Sequence, residues 1–367
     1  MPITQLHVLK FGGSSLATPE QIRAVAKRIR ERHAAGKKLI VVTSAMGKTT
    51  DQLTELAYKV SPRPNRRELD MLLTTGERIS MALMSMALHD LNCPSISFTG
   101  SQAGIMTDGA FSYAKIKELK PIRVEEALHS NKVVVLAGFQ GVDPISKEVT
   151  TLGRGGSDTT AVAMAAHFGA ERCEILKDVD GVFATDPQIV PNAKLHKTLP
   201  MDALYEFCFW GAKVLNHRSV ELARDRGVPL FVGRSDDFSI GTEITLGSGH
   251  FKAGEFLGVQ SHKQVIEISV PANSSADGES KFESLLMGNG LPAAQVLSSA
   301  YEANEWRALI TSDTDLLRTM VEVIHSSSSV DILRDDISTV TASYAGQPCR
   351  VQTVLRTDRE AAIRKHF

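Results

Sequence analysis

The sequence predicts a two-part protein: a three-layer α/β domain with a mostly parallel sheet over residues 1–250, then a smaller α+β unit over 251–367. Three observations predict it. Strand-like apolar runs alternate with helical periodicity through residues 6–250. Glycine-rich turns lead from strand to helix at "KFGGSS" (10–15) and "TLGRGGSDTTA" (151–161). Past Gly247-Ser248-Gly249 the order becomes βαββαβ, that of a ferredoxin-like unit.

The elements follow in order. Leu6–Lys10 reads as a strand. Thr18 caps the next helix, with Pro19 at its first position and Gln21 completing a capping box. Ile22, Val25, Ala26 and Ile29 form its apolar stripe. Strands are expected at 39–43, 95–98, 133–137, 174–176 and 229–232, and helices at 71–91, 159–167, 202–216 and 220–226. In the second part, strands are expected at 264–270, 293–298, 306–311 and 337–343, and helices at 280–287 and 314–325. A short extra strand at 350–355 and a charged tail end the chain.

Composition narrows the classes. Of 367 residues 43% are hydrophobic and 23% charged, as in a soluble globular protein. The formal charge of −1 gives no global field for nucleic acid or an anionic membrane. Apolar runs such as Val133–Ala137 are too short to span a bilayer. No basic region followed by an apolar core opens the chain. Cys93, Cys173, Cys208 and Cys349 lack metal-like spacing and fit reduced thiols in a cytoplasmic protein. No metal-ligating set of side chains is expected.

The chemistry-bearing residues are individually ambiguous. Gly47-Lys48-Thr49 follows a strand as a P-loop would, but the required earlier glycine is Val42. Phosphates must therefore be held elsewhere. In "KFGGSS", Gly12 and Gly13 can aim successive N–H groups at an anion, and Lys10 adds a charge; the alternative is a plain glycine turn. In "TLGRGGSDTTA", Gly153, Gly155 and Gly156 surround Arg154, and Ser157 and Asp158 open a helix whose N-terminus attracts anions. Glu77 and Lys213 taken alone read as exposed helical charges. Asp178 and Asp180 are turn formers or help to order a Mg²⁺-nucleotide.

Taken together, "KFGGSS", "SAMGKTTD", "MLLTTGERIS", "SFTGSQAG", "AGFQGV", "TLGRGGSDTTA", "DVDGVFATDP" and "GAKVL" resemble the aspartokinases, in their order, over residues 6–245. The resemblance implies the amino-acid kinase fold with an ACT-like C-terminal domain, and phosphoryl transfer from ATP to L-aspartate giving 4-phospho-L-aspartate, with Mg²⁺ bridging phosphate oxygens. It implies that Thr50, Glu77, Arg154, Gly155, Gly156 and Ser157 bind the amino acid, with Arg154 on its α-carboxylate and Glu77 on its α-ammonium. It implies that Lys10, Gly12, Gly13, Ser14, Lys177, Asp178, Phe183, Asp186, Gln188 and Lys213 bind ATP. Lys10 and Lys213 would neutralise charge on the transferring group, and Asp158 would orient the lysines. The side-chain carboxylate of aspartate, pKa about 3.9, is already ionised at pH 7, so no general base is needed. The rival readings are a non-catalytic regulatory protein and a kinase for another small amino acid.

Two departures stand out. Gln188 occupies a place where aspartokinases commonly carry arginine, and Lys177 one where a small hydroxyl residue is usual. Either Lys177 supplies the missing charge or ATP binds more weakly. The residues after His250 suffice for one ACT module and a fragment of a second. The segment 270–282 reads as a long polar turn unsuited to an effector. The expectation is a homodimer or larger homo-oligomer through the C-terminal part, with little feedback inhibition by lysine or threonine.

Overall fold

The computed structural model describes residues 3–247, 251–312 and 314–367. The chain divides into two compact units. The first comprises residues 1–182, 195–205 and 214–250, and the second 183–194, 206–213 and 251–367. Two segments from within the first 250 residues therefore fold with the C-terminal unit. Of the Gly247–Gly249 junction read from the sequence, Ser248 and Gly249 lie outside the described residues.

The first unit is built on an eight-stranded sheet. From edge to edge its strands are Thr198–Pro200, Gly241–Thr245, Leu230–Arg234, Arg172–Lys177, Leu6–Phe11, Lys38–Thr43, Val133–Ala137 and Ser95–Phe98. Every pairing is parallel except Leu230–Arg234 with Gly241–Thr245. The central strands are apolar almost without interruption because helices cover both faces. On one face Leu9, Phe11, Val41 and Val135 pack with Ile22, Val25 and Ile29 of helix Pro19–Ala34 and Met84 and Leu88 of helix Arg66–Asp90. Helix Gly156–Phe168, buried along most of its length, covers the other.

The capping box at Thr18 forms as read: Thr18 N donates to Gln21 Oε1 at 3.0 Å and Gln21 N to Thr18 Oγ1 at 3.3 Å. Helix Arg66–Asp90 begins five residues before the expected start, because Asn65 caps it through Arg67 N and Glu68 N. A second sheet, Ile116–Leu119, Ile105–Thr107, Gln140–Val142 and Val149–Thr151, was not anticipated. Neither was helix Thr49–Val60, which buries none of its residues fully.

One helix needs correction. The expected helix 202–216 spans Met201–Phe209 only. Gly211 has φ +107°, and a Cβ there would lie 2.3 Å from Ser261 O, so the chain turns where it meets strand Phe256–Pro271. Lys213 lies in that turn, not on a helix.

The second unit contains a five-stranded sheet ordered Gln295–Glu302, Glu305–Thr311, Phe256–Pro271, Asp331–Tyr344 and Gln347–Leu355, with antiparallel pairings throughout. The first four strands have ferredoxin-like order, and the fifth extends the same sheet. Helix Ser275–Gly288 starts at its Ser274 cap, whose side chain accepts from Asp277 N at 3.1 Å. The long polar turn expected over 270–282 is thus corrected to a short one. Its "SADGES" stretch is helical because Ser274 and Asp277 satisfy the first turn. Gly278 lets this helix sit on Trp306, where a Cβ would approach to 2.2 Å. Ile363 of the terminal helix Arg359–His366 packs with Ile189, Val259, Val340 and Ala342, which fixes segment 183–194 within this unit.

Candidate active site

The site of the first unit forms at the carboxyl ends of adjacent parallel strands, where open α/β sheets place ligands. Lys10 is the last residue but one of its strand, Lys177 the last of the next, and Asp158 lies in the first turn of helix Gly156–Phe168. Lys10 Nζ lies 2.8 Å from Asp158 Oδ1, and Lys177 Nζ lies 3.8 Å from Oδ2. Lys177 also donates to Val214 O. Burial pushes the Asp158 carboxyl up; the charges of Lys10 and then Lys177 outweigh it, aided by hydrogen bonds from Lys10 and the Asn216 N–H, so its pKa ends below the ordinary value. Asp158 stays ionised and is an anchor, not a proton acceptor.

The glycines fit by close approach. Gly12 sits at φ −70° and its N–H donates to Leu176 O at 3.1 Å. That N–H is committed to the neighbouring strand, which corrects its expected role as an anion donor. Gly13 and Ser14 open the following turn instead, and a Cβ on Gly13 would lie 2.7 Å from Ala45 O. Gly153 and Gly155 adopt left-handed φ values of +76° and +74°. Gly155 lies against Asn216, which would meet a Cβ at 2.3 Å, and Asn216 Nδ2 donates to Arg154 O at 2.8 Å. Ser157, the second residue of the helix, is buried against Gly138.

Glu77 is not the exposed helical charge its sequence context suggested. It is 3% exposed; Oε1 accepts from Ala45 N at 3.1 Å, and Oε2 is buried with no hydrogen-bond partner among the described residues. Burial raises its pKa to about 7, against the Ala45 N–H bond and the Lys10 charge, which lower it. Gly76 permits this: a Cβ there would meet Ala45 Cβ at 2.8 Å. Lys48 caps helix Thr49–Val60 behind Gly47 at φ +51°, so "SAMGKTT" is a helix start. Thr50 is its second residue, and Asp51 Oδ1 lies 3.7 Å from Arg154 Nη1. The structure thus brings Thr50, Glu77, Arg154 and the Lys10–Asp158–Lys177 cluster into one unit.

Asp178 is exposed in the same unit. Phe183, Asp186, Gln188 and Lys213 belong to the second. There Asp186 Oδ1 accepts from Gln188 N at 2.9 Å. Burial lowers the Lys213 pKa, as do the neighbouring Lys263 and Arg359, while Asp186 opposes them. The described residues contain no group of three or more His, Cys, Asp or Glu suited to a metal ion.

Residues 5–234 match the amino acid kinase family. The chain belongs to that family. Within it the similarity is to aspartokinases. One from Mycolicibacterium smegmatis is 54% identical over 239 residues, which is 65% of this chain and 57% of that relative. One from Thermus thermophilus is 39% identical over 350 residues, 93% of this chain and 85% of the relative. The chain therefore spans little more than half the length of the first of these. The crystal structure of E. coli aspartokinase III in complex with aspartate and ADP superposes with a TM-score of 0.80 over 98% of each chain, at 20% identity, and shares the fold.

Sequence reasoning missed Asn216, whose place before a helix was a readable cap signal, and the bond between Lys177 and Asp158. It also missed Asp70, for which no signal existed: one carboxylate in a helix looks like any other.

The Glu77 shift has a stability consequence. Its folded pKa lies above the unfolded value, so its contribution is complete below about pH 4.5 and is lost as pH rises through 7. Glu77→Gln should remove that slope, gaining about 2 kcal/mol on wild type between pH 5.5 and pH 8. Urea titrations of both proteins at the two pH values measure it; parallel pH dependences would show that Glu77 ionises normally.

Proposed function

We propose that this chain transfers the γ-phosphoryl group of ATP to the side-chain carboxylate of L-aspartate, giving 4-phospho-L-aspartate and ADP. The observation that carries the reading is Glu77: a buried carboxylate with an orphaned oxygen, close enough to Lys10 to feel its charge. An α-ammonium group would satisfy that oxygen. Arg154, 59% exposed on its glycine loop, carries a planar fork of the shape that pairs with an α-carboxylate. Thr50, Gly155, Gly156 and Ser157 would line the same pocket.

ATP would enter with Mg²⁺ as part of the substrate. Lys10, Gly13, Ser14 and Lys177 would face its phosphates, with Asp178 of the same unit; for Phe183, Asp186, Gln188 and Lys213 the family resemblance alone supports a nucleotide role. Gly12 would act through close approach, not through its N–H. The nucleophile is already ionised, so catalysis is positioning plus charge neutralisation. Asp158 fixes both lysines without exchanging a proton. Four free cysteines and no helix long and apolar enough to cross a membrane, among the described residues, support a cytoplasmic setting. A homodimer through the second unit remains part of this proposal. The short turn before Ser275 removes one reason for expecting poor effector binding.

Trapping the acyl phosphate as a hydroxamate, with aspartate and ATP, tests the reaction; no aspartate-dependent hydroxamate overturns it. Arg154→Ala should weaken aspartate by about 2–5 kcal/mol while leaving ATP binding intact. Equal losses for both substrates would place Arg154 elsewhere. Lys10→Ala should lower kcat on the order of 100-fold; an unchanged kcat in folded protein removes Lys10 from the chemistry. Aspartate should also bind about tenfold more weakly at pH 6 than at pH 8, because its ammonium needs Glu77 ionised. A flat KM across that range would separate Glu77 from the ammonium.

A further inference from the structure

Asp70 is fully buried, and no cation pairs with it among the described residues. It lies in helix Arg66–Asp90, two turns before Glu77. Its four contacts are all hydrogen bonds from two distant segments. Oδ2 accepts from Ser112 N at 2.9 Å and Thr151 N at 2.8 Å. Oδ1 accepts from Ser112 Oγ at 3.2 Å and Thr151 Oγ1 at 2.8 Å. The two segments also meet each other, since Ala114 N donates to Thr151 O at 2.9 Å. Ser112 has φ +70°, unusual for a residue with a side chain. Thr151 is the last residue of its strand, three positions before Arg154. Leu152 N donates to Phe139 O, and Gly153 passes the Ser112–Tyr113 turn so closely that a Cβ would lie 3.2 Å from Ser112 O. The loop carrying Arg154 is therefore tied at its base to the helix carrying Glu77.

We propose that Asp70 is a positioning residue that sets the separation between Glu77 and Arg154, and so the ability of the site to grip an α-amino acid by both its charges. This rests on reading Glu77 and Arg154 as the ammonium and carboxylate grips. The two groups sit on one carbon of the substrate, so their spacing is fixed whatever the side chain, and a rigid helix is a suitable gauge for it. Without Asp70 the base of the loop would keep its pairing with Gln140 and its Leu152–Phe139 bond but lose its direct tie to the helix that carries Glu77.

The test is steady-state kinetics with a hydrogen-exchange arm. Asp70→Ala should raise the aspartate KM about tenfold or more, with the ATP KM within about twofold of wild type. Amides of residues 151–156 should exchange faster, while helix Arg66–Asp90 keeps its protection. Asp70→Asn should recover most of the loss: its oxygen accepts the two N–H groups and its NH₂ donates to the two hydroxyls, which reverse. If Asp70→Ala does not fold, Thr151→Val replaces it, with an aspartate KM rise of about two- to fivefold and the same local loosening. An unchanged aspartate KM in Asp70→Ala or Thr151→Val, or equal losses for ATP and aspartate, overturns the proposal. So does damage in Asp70→Asn as large as in Asp70→Ala. Should the wild type prove not to use aspartate, the functional reading fails, and exchange over 151–156 still decides the role of Asp70: no acceleration in Asp70→Ala refutes it.

Discussion

The first unit is organised around a buried carboxylate that holds two lysines. Removing three charges from water costs several kcal/mol per ion before any attraction is counted, so Lys10, Asp158 and Lys177 are poor candidates for stabilising the fold. What they need is mutual placement, and the parallel sheet supplies it. Strands Leu6–Phe11 and Arg172–Lys177 pair in parallel with Lys10 opposite Ile175, so Lys10 and Lys177 fall two positions apart on the same face of the sheet. Helix Gly156–Phe168 lies over them with Asp158 in its first turn, where the helix dipole favours a negative charge. Register, helix start and charge cluster are therefore one constraint.

Two carboxylates near this cluster are driven in opposite directions. Asp158 and Glu77 are both desolvated, and burial alone would raise both. Asp158 touches two cations and falls below the ordinary range; Glu77 feels Lys10 only at longer range and rises to about 7. A pair of acids separated in this way has separate tasks. One keeps its charge and fixes the lysines. A cationic partner brought to Glu77 would favour its charged form.

Much of this was legible in the sequence, for definite reasons. The strand-turn-helix start at 6–34 announced itself because Thr18, Pro19 and Gln21 are local signals and Ile22, Val25 and Ile29 repeat at helical spacing. Glycines at 12–13 and 153–156 marked where backbones approach closely. What escaped depends on tertiary contact. Helix Thr49–Val60 is the exception: Leu53, Leu56, Ala57 and Val60 do repeat at helical spacing, although the helix buries no residue fully. The end of the helix at Phe209 is set by Ser261, far away in sequence, and the apolar spacing of Val214 and Leu215 carried the helical reading through Gly211. Gly12 was correctly read as special, but its N–H is spent on Leu176 O, a partner no local pattern names.

The second unit bears on the most conspicuous departure, Gln188. Burial and the charges of Lys263 and Arg359 lower the Lys213 pKa there, and the Asp186 charge opposes them. Arg359 is largely buried and donates to Ser261 Oγ at 2.8 Å, beside the approach of Gly211 to Ser261 O. Like charges gathered around one anion raise each other's energy, which is the direction of the Lys213 shift. Gln188 donates its backbone N–H to that same Asp186. An arginine at 188 would keep the backbone bond to Asp186 and add a cation to a unit where neighbouring cations already lower the Lys213 pKa. A neutral glutamine adds no such charge.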